Sequence, residues 1–100
     1  MNIYDFPETT MTEELTSILA EGENVRVERI ISTGQNSDWY NQSETEFVIL
    51  LEGKAVIEYE DGKSVSLSKG DTVLISQHER HRVSFTSVNP ACVWLCVFYK

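Results

Sequence analysis

One hundred residues make a single domain with room for one modest core. Hydrophobic residues are 41% of the chain and charged residues 24%, which excludes a disordered polypeptide. The longest apolar run, Phe47 to Leu51, is too short for a membrane-spanning helix. The net charge is −8, and residues 1–60 hold 13 of the acidic side chains against 3 basic ones. That balance gives no basic footprint for a nucleic-acid backbone. Met1 to Pro7 lacks a basic segment leading into an apolar one, so the expected location is cytoplasmic.

Residues 1–24 read as an extension carrying a short N-terminal helix. Thr10 or Thr12 can cap it, Glu13 and Glu14 suit its first turn, and Gly22 can end it. Leu15, Ile18 and Leu19 would then share one face. From Val25 onward the chain reads as strands. Val25, Val27 and Arg29 alternate with Arg26, Glu28 and Ile30, and Gly34 to Asp38 is a polar turn. Glu46 to Leu51 and Lys54 to Glu60 are strands joined at Glu52-Gly53. Asp61-Gly62 is a hairpin signal, and Ser64 to Leu67 follows. Lys69-Gly70-Asp71 turns the chain into Thr72 to Ile75; Arg82 to Thr86 and Cys92 to Tyr99 complete the set. Seven or eight short strands at regular spacing argue for an antiparallel all-β sandwich or barrel over residues 25–100.

Cys92 and Cys96 lie four apart in the last strand, about 13 Å at ~3.3 Å per residue. A disulfide needs Cα atoms within about 7 Å, so both are expected as buried free thiols in a reducing compartment. Trp94 shares their face.

The spacing from Gly34 to His81 carries the functional signal. Gly34 is followed after five residues by Tyr40-Asn41-Gln42, after three more by Glu46, and after six more by Gly53. Sixteen residues later come Gly70 and Asp71, and then Ser76 to His81. This pattern resembles the paired motifs of the cupin family. The resemblance implies a single antiparallel cupin barrel, the double-stranded β-helix, of the kind that forms homodimers. It also implies a divalent-metal site in which Glu46 and His81 keep family positions, while Tyr40 and Gln42 stand where histidines are usual. Ser76 and His78 likewise replace a proline and a glycine.

Parity agrees with convergence, because Tyr40, Gln42, Glu44 and Glu46 share one face of an extended segment. The expected metal set is His81, Glu46, Gln42 and Tyr40, holding zinc, iron or manganese. An amide oxygen is a weaker ligand than imidazole, and a tyrosine binds well only as phenolate. Tyr40 and His78 are the candidate acids or bases, and His78 the candidate contact for an anionic substrate. Arg80 and Arg82 flank His81 and should face away from it or pair with the acidic half. The expected function is a small barrel acting on, or binding, a small anionic or oxygenated molecule. The alternative is a metal-free ligand-binding or sensor barrel, or one kept only for scaffolding.

Overall fold

The computed structural model describes residues 1–100 and contains eight strands and no helix. They are β1 (Leu15–Glu21), β2 (Val25–Ser32), β3 (Thr45–Glu52), β4 (Ala55–Tyr59), β5 (Ser64–Leu67), β6 (Thr72–Ile75), β7 (His81–Thr86) and β8 (Cys92–Tyr99). All pairings are antiparallel. A five-stranded sheet has the order β1-β2-β8-β3-β6, and a three-stranded sheet the order β5-β4-β7. The core lies between the two. Val48, Leu50, Ile75, Trp94, Cys96 and Phe98 from the large sheet pack with Ala55, Ile57 and Leu67 from the small one. Both thiols are buried and free.

The turns form where the sequence places them. Asp61-Gly62 closes β4 on β5, with the Gly62 amide on the Tyr59 carbonyl and Asp61 Oδ1 accepting from the Lys63 amide. Asp71 Oδ2 accepts from the Ser68 amide at 2.8 Å, which ties the turn before β6. Gly53 has the chain crossing from the large sheet to the small one at φ +93°. A side chain there would lie 2.9 Å from the Ala91 carbonyl oxygen and from Cys92.

The expected N-terminal helix is not formed; the segment is β1, paired with β2 from Leu15↔Ile31 to Glu21↔Arg26. A lone helix of about ten residues is marginal in water without a face to pack on. The open edge of β2 instead offers a ladder of backbone hydrogen bonds. Ile18, which a helix would have buried beside Leu15, is 56% exposed.

The outer face of the large sheet is apolar as well. A row of Val27, Val97, Phe47 and Leu74 crosses β2, β8, β3 and β6 in register, with Leu95 and Ile49 beside it. At the other end of this face the N-terminal segment lies across the sheet. Buried Arg29 holds it by donating to the carbonyls of Asp5 (2.9 Å) and Ile3 (3.4 Å).

Candidate functional site

Between the sheets, toward the end of the barrel where β3 begins, is a cavity of about 320 Å³. Strand parity decides its lining. Residues Arg26, Phe98, Glu46 and Ile75 form one row across β2, β8, β3 and β6, all turned inward. Glu28, Cys96 and Val48 form the next row. The facing wall is Ile57 from β4 with His81 and Val83 from β7.

The segment before β3 supplies the remaining polar groups. Residues 37–42 run along β7 and the loop before it. Tyr40 and His81 exchange backbone hydrogen bonds (2.7 and 3.1 Å), and the His78 amide donates to the Gln42 carbonyl at 2.7 Å. This edge carries Tyr40 and Gln42 to the cavity, as their shared parity requires.

Glu46 and His81 are the buried polar pair, 8% and 3% exposed. Gln42 Nε2 donates to Glu46 Oε1 at 3.1 Å. Burial raises the Glu46 carboxyl above its ordinary value; the Gln42 and Cys96 hydrogen bonds and His81 pull it partly back. The same surroundings, desolvation first and then the Glu46 charge, push the Cys96 thiol well up, so it is not a ready nucleophile. His81 Nδ1 lies 2.8 Å from the Glu79 carbonyl oxygen, which can only accept. Nδ1 therefore carries a proton and Nε2 is left for a ligand. The imidazole lies between the rings of Tyr40 and Tyr59, at centroid distances of 5.6 and 6.4 Å. Burial, and then the charge of Glu14, raises the Tyr40 phenol, which disfavours its phenolate.

Three of the residues expected at the site, Glu46, Gln42 and His81, thus meet in the cavity, and Tyr40 lines its edge while 44% exposed. His78 is not brought there. It sits at φ 59° in an exposed turn, its Nδ1 2.9 Å from Asn41 Oδ1, and acts as a clamp on the loop. Arg80 and Arg82 lie over Trp39 and pair with Glu60 and Glu58. The structure adds Glu14, Arg26 and Glu28, which the sequence reading passed over. Arg26 bonds Glu28 and Glu44 while its guanidinium lies 4.4 Å from the centre of the Phe98 ring. The available signal was the parity that Arg26 and Glu28 share with Ile30.

The donor set does not make a conventional metal site. No three histidine, cysteine or acidic side chains are grouped to hold an ion. The centre offers one imidazole and one buried carboxylate, Gln42 turns its nitrogen to Glu46, and Tyr40 resists ionisation.

Residues 27–98 match the sequence family described as Cupin domain. No curated protein matches the chain. Among solved structures, a protein of Ralstonia eutropha JMP134 with the provisional name mannose-6-phosphate isomerase is 33% identical, with a TM-score of 0.94 over 100% of this chain and 96% of its own. A cupin superfamily protein from Desulfitobacterium hafniense DCB-2 superposes with a TM-score of 0.81 at 17% identity, over 93% of this chain and 83% of its own. The DMSP lyase DddQ from Ruegeria pomeroyi DSS-3 does so at 0.75 and 15% identity, over 87% of this chain and 47% of its own. The last two likenesses concern the fold alone. With the family match spanning most of the barrel and the paired motifs of Gly34 to His81 in place, the chain belongs to the cupin family.

Proposed function

We propose that this cupin barrel binds a small oxygenated molecule between its sheets, with Glu46, Gln42 and His81 as the polar centre and no resident metal required. One observation carries the reading. A carboxyl and an imidazole, both more than nine-tenths buried, face a cavity of small-molecule size, half of whose lining residues are hydrophobic. A buried carboxylate costs stability unless something uses it. Glu46 with its raised proton affinity and His81 with a free Nε2 are also suited to exchange protons with a bound carbonyl or hydroxyl. The provisional name of the R. eutropha protein would make that an isomerisation. Native mass spectrometry of gently purified protein tests the binding. A retained small molecule, lost in His81→Ala with the fold intact, supports it; equal retention by both proteins overturns it.

A divalent zinc, iron or manganese ion is the competing reading, favoured by the arrangement of His81. An imidazole held through Nδ1 by a carbonyl presents Nε2 as metal ligands do. It would require Gln42 to turn its oxygen inward and Tyr40 or water to complete the set. Elemental analysis of protein purified without a metal column decides it. Near one equivalent per chain, absent in His81→Ala, establishes the ion. No metal and no uptake on titration removes it.

The apolar row of Val27, Val97, Phe47 and Leu74 supports a homodimer. Two chains of net charge −8 repel each other, and a row without carboxylates brings them together at least electrostatic cost. The buried free thiols suit a cytoplasmic location.

A further inference from the structure

The charge of the cavity deepens the ligand-binding reading and rests on it. Besides Glu46, the lining holds Glu14, Glu28 and Glu44. The one arginine facing them, Arg26, is already committed. It bonds Glu28, reaches Glu44 Oε2 at 3.2 Å and stacks on Phe98. Glu14 has no cationic partner. Its Oε2 accepts from the Ser32 hydroxyl at 2.6 Å, and Ser32 Oγ in turn accepts from the Trp94 indole at 3.1 Å. That relay fixes a carboxylate at the cavity wall. A separate feature asks for a ligand there: the imidazole of His81, 3% exposed, has Nδ1 occupied and Nε2 unpartnered.

We infer that the cavity selects a ligand bearing a protonated amine and turns away phosphates and carboxylates. The only cation in its wall shows the chemistry such a ligand would meet. The Arg26 guanidinium sits between two carboxylates and on an aromatic face, a setting that stabilises positive charge. An anionic group would have to displace Arg26 from both carboxylates, or enter a wall where carboxylates outnumber the guanidinium. A sugar phosphate therefore fits the cavity poorly, whatever the reaction.

Trp94 reports on this directly, since it lines the cavity. In Trp39→Phe it is the only tryptophan, and Trp39→Tyr serves if that variant fails to fold. Its fluorescence is titrated at low ionic strength with caesium and with iodide, each quenching constant normalised to that of free N-acetyltryptophanamide. The expected result is a caesium constant about threefold or more above the iodide constant. The ratio should fall toward one in Glu14→Gln/Glu28→Gln. Iodide quenching equal to or above caesium overturns the inference, and so does exclusion of both ions. The ratio needs no bound ligand, so it fails separately from the ligand-binding reading.

Discussion

Gly53 joins the strand that carries Glu46 to the sheet that carries His81, so its replacement tests how the two walls are held together. Four glycines sit at nearly the same φ: Gly34 and Gly62 at +92°, Gly53 at +93° and Gly70 at +89°. A Cβ at Gly62 meets nothing within 4 Å, whereas at Gly53 it would lie 2.9 Å from Ala91 O, Cys92 Cα and Cys92 Sγ. Two of those atoms are backbone and cannot swing aside. Gly62→Ala should therefore cost only the conformational term, about 1–2 kcal/mol. Gly53→Ala should cost that plus about 1–3 kcal/mol of overpacking. Urea unfolding measures both. With a slope near ~1 kcal/mol/M for a chain this small, the Gly53→Ala midpoint should lie roughly 1–3 M below that of Gly62→Ala. The backbone term is common to both, so the difference isolates the contact with the Ala91-Cys92 backbone. Equal midpoints would refute the reasoning.

Glu46→Gln tests the buried carboxyl through pH. Its proton affinity is raised in the folded state above the ordinary 4.5, chiefly by burial, so the folded protein holds more protons. The Glu46 contribution is then complete below the ordinary value and is lost as pH rises through the raised one. Wild-type stability minus that of Glu46→Gln should fall across this window; a flat or rising difference contradicts it. Phe47→Glu/Leu74→Glu should leave thermal unfolding within a few degrees and give a monomer by light scattering; an unchanged mass relocates any interface. His78→Ala removes one exposed side-chain bond to Asn41 and should cost about 1 kcal/mol or less. It should also retain any small molecule that His81→Ala loses, and loss in both would bring His78 back to the site.

The strand pattern from Val25 onward and the convergence of Glu46, Gln42 and His81 were legible because period-2 alternation and motif spacing are local. The N-terminal segment was not. Leu15 and Leu19 are four apart and share a face in a helix and in a strand alike, so they decide nothing. Of the apolar residues only Ile18 favoured a helix, and the ladder offered by β2 outweighs it together with the capping signals. Arg26 was missed because an apolar residue is expected to face inward. Here Val25 and Val27 cover an outer face that is itself apolar, and the charged parity turns into the barrel. Which face of β8 lies inside is likewise fixed by its long-range partners, which place Trp94, Cys96 and Phe98 in the core.

The position of β8 has a consequence for how the barrel forms. It is the middle strand of the large sheet, yet it is the last in chain order. Ser32 pairs with Cys92 and Val25 with Tyr99, positions 60 and 74 apart in the chain. Until β8 arrives, the large sheet exists at best as two separate ribbons, β1-β2 and β3-β6, each with an open edge. Assembly is therefore dominated by loop closures that come late, the regime of slow folding and exposed edges. A chain cut before Cys92 would not lose one border of the sheet; it would lose the seam that joins the ribbons, and with it the wall on which Glu46 stands.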